Sequence, residues 1–275
     1  MIEIPEANVL AAQLNKTIAG KRVVSVMAAH SPHKFAWYHG DPQEYGPVLY
    51  DKTVDKATSV AGMVEINLQD TAIVLCDGAR VRYHAPTDKR PVKHQLLLEF
   101  SDESALSVSV QMYGGLWCFK EGDYNNPYYQ GAKAKPSPLT SAFDEAYFAK
   151  LFSSAKPTLS AKAFLATEQR VPGLGNGVLQ DILYSAGVHP KRRIATFADD
   201  DRRRLYNAIK DTLLEMIDFG GRDTECDLFG SPGGYKTILS SKTAKTPCPV
   251  CGDLIVKEAY LGGSVYYCPV CQPLS

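Results

Sequence analysis

Residues 248–251 read Cys-Pro-Val-Cys, and after sixteen intervening residues the same four letters return at positions 268–271. Each Cys-x-x-Cys unit bends the chain so that two thiolates face one metal ion, and two units complete a tetrahedral shell. Four protein ligands leave no open coordination position, so we expect one structural zinc ion per chain. The predicted ligands are Cys248, Cys251, Cys268 and Cys271.

The residues between the two cysteine pairs are predicted to form a β-hairpin. Residues 254–256 read Leu-Ile-Val and residues 265–267 read Val-Tyr-Tyr, both rich in strand-forming residues, and Gly262-Gly263 supplies the turn. The other three cysteines, Cys76, Cys118 and Cys226, stand singly, which is typical of unpaired thiols in a reducing compartment. Two chance redox motifs are the alternative interpretation of the paired cysteines.

The first half of the chain has the pattern of an N-terminal helix followed by strands. Apolar residues at helical spacing predict a helix over residues 7–19, with Gly20 as its stop. Short β-branched or alternating runs then predict five strands, over residues 23–26, 63–66, 73–75, 96–100 and 106–110. We therefore predict an N-terminal helix leading into an antiparallel β-sandwich.

The hydrophobic period becomes helical in the second half. Residues 120–138 are rich in Asn, Gly and Pro and are predicted to be a loop. Apolar residues at steps of three and four then predict helices over residues 143–152, 160–168, 177–186 and 197–219. The fold class is α+β, and we predict three domains: 1–135, 136–247 and 248–275.

A glycine-rich turn, Val171-Pro172-Gly173-Leu174-Gly175-Asn176, lies between two of these predicted helices. Two glycines and an asparagine at a helix start leave backbone amides pointing outward. Such a turn suits a phosphate, and the helix dipole adds attraction. A plain tight connection between helices is the structural alternative. We predict that Gly175 and Asn176 bind DNA.

The order of these motifs resembles that of the formamidopyrimidine-DNA glycosylase/endonuclease VIII family. The hallmarks of that family are a GxGN turn in a helix–two-turns–helix element, a helix ending in Ala-Gly-x-His-Pro, and a terminal four-cysteine finger. This chain has the second of these at residues 186–190, and Gln272 follows the last cysteine as in the family. The resemblance is strong over residues 140–275 and weaker over residues 1–120. It implies a helix–two-turns–helix domain with a C-terminal zinc-finger hairpin.

The resemblance also implies a catalytic N-terminus. The family starts, after removal of methionine, with a proline whose amine attacks C1′ of a damaged nucleotide, and an adjacent glutamate is the acid/base. Here Glu3 corresponds to that glutamate and Ile2 replaces the proline. A bulky second residue blocks removal of the initiator methionine, so the free amine belongs to Met1, or to Ile2 if processing occurs. A helix-start carboxylate is the alternative role of Glu3.

Further DNA contacts follow from the resemblance. The phosphate-contacting lysine of the family corresponds to Met63 or, in an alternative alignment, falls near Lys93. The methionine that fills the gap left by the everted base corresponds to Met112. Tyr128 and Tyr129 stand in a loop that carries arginines in the family, and tyrosine can stack on any base. Ordinary loop tyrosines are the alternative. The arginine expected at the finger tip is missing, since residues 261–264 read Leu-Gly-Gly-Ser.

The resemblance implies a DNA base-excision repair protein that acts as a glycosylase, with possible lyase activity, on oxidised bases or abasic sites in duplex DNA. Two alternatives stay open: a lesion-binding protein that has lost the lyase step, and a protein- or RNA-binding module. The formal net charge is zero, so a DNA surface must be local. No apolar run reaches about 18–20 residues, and no secretory signal is recognisable. We expect a monomer without membrane contact in a bacterial-type cytoplasm, associated with the nucleoid.

Overall fold

The computed structural model describes residues 1–274, which form two compact units. The first unit comprises residues 1–130 and 219–234, and the second comprises residues 131–218 and 235–275, of which 235–274 are described. The cysteine segment therefore belongs to the same unit as the helices. Residues 219–234 belong to the same unit as the N-terminal residues. The three predicted domains stay a prediction.

The first unit is built on helix α1 (Ile4–Thr17) and one seven-stranded sheet. The sheet has the order β1-β6-β7-β5-β4-β3, with β2 paired parallel to β7 and every other pairing antiparallel. Its strands are β1 (Val23–Ala28), β2 (Ala36–Tyr38), β3 (Lys56–Val60), β4 (Met63–Leu68), β5 (Thr71–His84), β6 (Leu96–Phe100) and β7 (Ala105–Lys120). A 3-10 turn (Pro42–Glu44) and helix α2 (Tyr45–Leu49) precede β3.

The core of the first unit lies between α1 and the sheet. Leu10, Leu14 and Ile18 recur at steps of four and pack with strand residues such as Ile66 and Leu106. The 219–234 segment reaches this core through Leu228, which is fully buried in the same cluster. This long-range return of the chain brings residues near 222 to the start of α1.

The second unit contains four helices and a hairpin. The helices are α4 (Glu145–Ser154), α5 (Ala161–Ala166), α6 (Val178–Ser185) and α7 (Asp199–Asp218), with a 3-10 turn at Ile194–Thr196. The hairpin strands are β8 (Val256–Tyr260) and β9 (Gly263–Tyr267). The GxGN turn therefore joins α5 to α6, as the helical pattern predicts. The α+β class, the N-terminal helix, the helical domain and the terminal hairpin are confirmed.

Two local predictions are wrong. Residues 120–138 are not entirely loop, because helix α3 (Pro127–Ala134) lies inside them. Asn126 caps it by accepting the Tyr128 N–H at 2.9 Å, and Pro127 suits the first helical position. The first hairpin strand lies at Val256–Tyr260 and not at residues 254–256. Its partner β9 sets this register, pairing Tyr260 with Gly263 across the turn.

Among the described residues, no helix combines the length and the apolar character that a bilayer crossing requires.

Candidate active site and nucleic-acid interface

The N-terminus of the first unit lies among charged groups, Glu3, Glu6, Arg222 and Glu225, which we call the N-terminal corner. The Met1 ammonium forms an ion pair with Glu225 Oε2 at 2.5 Å. The Ile2 N–H donates to the Asp77 carbonyl oxygen at 2.6 Å, and the Ile2 side chain is only 7% exposed in the core. With Met1 in place, the Ile2 nitrogen is thus a hydrogen-bonded amide, and the terminal amine belongs to Met1. An amine on Ile2 stays a prediction for a processed chain.

Glu3 lies at the start of α1 and is buried against an arginine from far along the chain. Arg222 is 2% exposed, and its Nη1 lies 3.7 Å from Glu3 Oε2. The same guanidinium donates to both carboxylate oxygens of Glu6, at 2.9 and 2.7 Å. Glu6 also accepts the Glu3 backbone N–H at 3.2 Å, as in a capping box. One buried cation thus holds the two carboxylates of the first six residues.

The sequence gives little signal for this arrangement. Arg222 and Glu225 follow Gly220-Gly221, whose φ angles of +74° and +97° are readily adopted by glycine. Those glycines mark a tight turn but do not indicate which side chains it delivers to residues 1–6. Arg222, Glu225 and Asp77 were therefore missing from the predicted site.

The predicted DNA-contacting residues of the first unit have different environments. Met112 is 73% exposed, with a φ of +61°, and Lys93 is exposed. Tyr128 is half-buried and packs edge-on against Trp117. Burial, followed by the nearby Asp77 carboxyl, raises the pKa of Tyr128.

Tyr129 does not fit its predicted role. The side chain is 3% exposed, and its hydroxyl donates to Glu65 Oε2. Its ring packs against Phe119 and Tyr124. Base stacking by Tyr129 is therefore contradicted, because neither ring face is open to a nucleotide.

In the second unit, the GxGN turn is connected to the terminal hairpin. Asn176 Nδ2 donates to the Ser264 carbonyl oxygen at 3.1 Å, while Asn176 Oδ1 is buried with no hydrogen-bond partner within residues 1–274. Gln180 joins the same hairpin by accepting the Tyr266 N–H at 3.0 Å. Gly175 lies between Gly173, with a φ of +77°, and this asparagine. The turn and the hairpin thus form one polar surface.

Lys162 is a buried cation at the same hairpin turn, and the sequence patterns did not indicate it. It is a buried residue of α5, and its Nζ donates to the Tyr260 carbonyl oxygen at 2.6 Å. Burial lowers the pKa of Lys162. A Cβ built on Gly263 would lie 3.6 Å from Lys162 Nζ and 3.8 Å from Asn176 Nδ2, so both groups converge on the hairpin turn. A lone lysine in an apolar helix gives no sequence signal of that position.

The four cysteines are brought together at the base of the hairpin, where their Sγ atoms all lie within 4.8 Å of one another. The separation is 3.7 Å for Cys248–Cys271 and 3.4 Å for Cys251–Cys268. A zinc ion with tetrahedral Zn–S bonds of about 2.3 Å requires sulfur atoms roughly 3.8 Å apart, so the donor set fits that ion. The Tyr184 hydroxyl lies 3.1 Å from Cys248 Sγ, where it can orient a ligand. The cluster can therefore hold a metal.

Comparison with known proteins agrees with this geometry. A model described as the formamidopyrimidine-DNA glycosylase H2TH domain matches residues 135–227. The formamidopyrimidine-DNA glycosylase of Prochlorococcus marinus (strain MIT 9215) is 33% identical over 190 residues, covering 66% of this chain but only 64% of that relative. Its counterpart from Lactococcus lactis subsp. lactis (strain IL1403) is 27% identical over 281 residues, covering 99% of each chain.

A solved structure shares the fold. The Lactococcus lactis Fpg in complex with DNA containing N7-benzyl-Fapy-dG has a TM-score of 0.84 at 24% identity, over 98% of this chain and 99% of that one. The GxGN turn, the helices around it and the cysteine hairpin define a helix–two-turns–helix protein. The H2TH match and the named relatives support the formamidopyrimidine-DNA glycosylase/endonuclease VIII family, as the sequence predicts.

Proposed function

We propose that this chain is a base-excision repair enzyme, a DNA glycosylase with lyase activity on oxidised bases or abasic sites in duplex DNA. The observation that carries the proposal is the N-terminal corner, where the Met1 amine meets Glu225 and where Glu3 is held by Arg222. A nucleophilic amine and a buried carboxyl two residues away are the two groups that imine-forming excision requires.

Met1 supplies the nucleophile in this proposal. Once deprotonated, its nitrogen lone pair attacks C1′ of the damaged nucleotide, and the bond between C1′ and the base breaks. Glu3 is the acid/base, and Arg222 positions it. The Glu225 ion pair holds the terminal nitrogen in place before the substrate binds. An inactive lesion-binding protein is less well supported, because both reactive groups are retained despite the replacement of proline by Ile2.

In this proposal, the second unit supplies contacts to the DNA phosphates. We infer that Cys248, Cys251, Cys268 and Cys271 hold one structural zinc ion, which keeps the hairpin folded. Asn176 and the backbone at Gly175 then offer donors to a phosphate, and Lys162 adds charge at the same turn. Met112, Lys93 and Tyr128 remain proposed contacts from the first unit.

The proposed partner is damaged or abasic double-stranded DNA, and we propose that the chain acts as a monomer in a bacterial cytoplasm, at the nucleoid. A neutral protein gains little affinity from long-range attraction. We therefore expect DNA affinity to fall less steeply with salt than for a protein that neutralises 6–10 phosphates, for which the loss is about 10³–10⁵-fold between 50 and 200 mM salt.

The test is incubation with a duplex that carries one abasic site or one oxidised base, followed by borohydride reduction. The proposal predicts a covalent protein–DNA product whose mass equals that of the chain, with Met1 retained, joined to DNA. Binding of the same duplex without base release and without a trapped product would contradict it and favour the lesion-binding alternative.

A further inference from the structure

Asp77 has an unusual backbone conformation inside a long strand. The register between β5 and β7 shifts between Asp77 and Ala79, which marks a β-bulge, and Asp77 has a φ of +57°. A Cβ built on the next residue, Gly78, would lie 2.0 Å from the Gln111 carbonyl oxygen. The bulge is therefore pressed against β7 and held in place. Strained residues at bulges cluster at functional sites.

The bulge faces the N-terminus. Ile2 pairs with Asp77 in an isolated antiparallel bridge. Met1, which carries the terminal amine, directly precedes Ile2. The Asp77 carboxylate accepts a hydrogen bond from Cys76 Sγ at 3.2 Å. The other charged or titratable groups that interact electrostatically with this carboxylate are the Met1 ammonium, Tyr113 and Tyr128.

The electrostatics favour proton exchange at Asp77. Burial raises the pKa of the Asp77 carboxyl, whereas the Cys76 thiol and the terminal ammonium lower it, and the net direction is upward. A carboxyl shifted toward neutral pH accepts and returns protons more readily than an exposed aspartate. Neither Glu3, held by Arg222, nor Glu225, on the opposite segment, has this combination of bulge geometry and neighbours.

We propose that Asp77 transfers the proton that the Met1 nitrogen releases as the imine forms. The inference rests on the proposed function. At an abasic site the nitrogen lone pair bonds to the aldehyde carbon, and the carbonyl electron pair moves to oxygen. One proton passes from nitrogen to the Asp77 carboxylate and then to that oxygen. A second proton, from Glu3 or solvent, lets the oxygen leave as water. Asp77 returns to its carboxylate form, and the nitrogen keeps one proton in the iminium.

The test uses Asp77→Asn in the full-length, zinc-loaded protein. Asparagine has the same size and tolerates a positive φ, so the bulge is preserved. Two rates are measured: acetylation of the Met1 amine by acetic anhydride, read from the N-terminal peptide, and borohydride trapping on abasic duplex. Loss of a nearby negative charge frees the amine, so acetylation should rise several-fold. Loss of the proton acceptor should slow trapping by about 10²-fold or more.

Opposite changes in the two rates are the signature of proton transfer. Asp123→Asn, which removes a carboxylate at an exposed site, is the matched control and should change neither rate. If Asp77 only attracted the ammonium, Asp77→Asn would raise both rates, and this or unchanged trapping overturns the inference. Absence of trapping in the unaltered protein would instead overturn the proposed function itself.

Discussion

The two units differ in how they assemble their polar surfaces. In the second unit, the GxGN turn, Lys162 and the cysteine hairpin lie within one compact group of helices and a hairpin, and the family motifs are intact apart from the finger-tip arginine. In the first unit, residues 1–6 meet Asp77 and the 219–234 segment, and the proline of the family is replaced by Ile2. If the proposed function holds, this difference predicts that DNA binding and base excision can be perturbed separately.

The largest expected effect follows from removing one metal ligand. Cys268→Ser should abolish tight DNA binding, with a loss of at least about 100-fold, because structural zinc contributes much of the folding free energy of such hairpins. Duplex binding and zinc content measure the effect, and hydrogen exchange should show residues 1–120 still protected. Cys226→Ser removes an exposed thiol outside the cluster and should leave affinity unchanged. Retained binding after metal loss would be incompatible with the structural role of the cluster.

The converse change acts on the chemistry alone. Glu3→Gln keeps the size of the side chain but removes its proton, so base release should fall by about 10²–10⁴-fold. Affinity for abasic duplex should stay within about twofold, since Glu3 is not among the proposed DNA contacts. Single-turnover kinetics measure the rate of base release, and a binding isotherm measures the affinity for abasic duplex. Glu44→Gln, at an exposed site, is the matched control, and equal base release by Glu3→Gln and the unaltered protein would refute the assignment.

A buried and an exposed arginine are expected to contribute differently to the free energy of unfolding. Arg222→Met leaves Glu3 and Glu6 buried without their cation, which should lower the free energy of unfolding by about 3–5 kcal/mol. Arg203 pairs with Asp200 on α7 and both side chains are exposed, so Arg203→Met should cost no more than about 1 kcal/mol. Urea unfolding compares the two variants. Equal losses would show that Arg222 does not organise the N-terminal corner.

The smallest effect is expected at the GxGN turn. Asn176→Ala removes one donor to the phosphate and to Ser264, worth about 1–1.5 kcal/mol, so duplex affinity should fall roughly 5- to 15-fold. Fluorescence anisotropy at fixed salt measures it, with the exposed Asn125→Ala as control. An affinity indistinguishable from that of the control would remove Asn176 from the interface.

The same contrast explains what could be predicted from the sequence. Strand β6 was predicted with its bounds, and the cysteine ligands came together as their spacing requires, because short-range patterns determine both. Helix α3 was missed, since its Asn126-Pro127 start resembles a turn signal. Asp77, Arg222 and Glu225 have no local pattern, because their neighbours are set by the return of the 219–234 segment. Tyr129 was misassigned because its burial depends on Glu65 and Phe119, which no loop motif indicates.

The central claim is that the amine of a retained Met1 forms the bond to DNA. Its most direct test is borohydride trapping on abasic duplex, followed by protease and nuclease digestion and tandem mass spectrometry of the adduct. The account predicts the sugar remnant on the α-nitrogen of a peptide that begins Met1-Ile2-Glu3. A remnant on Ile2 of a processed chain, or on a lysine side chain, would contradict it.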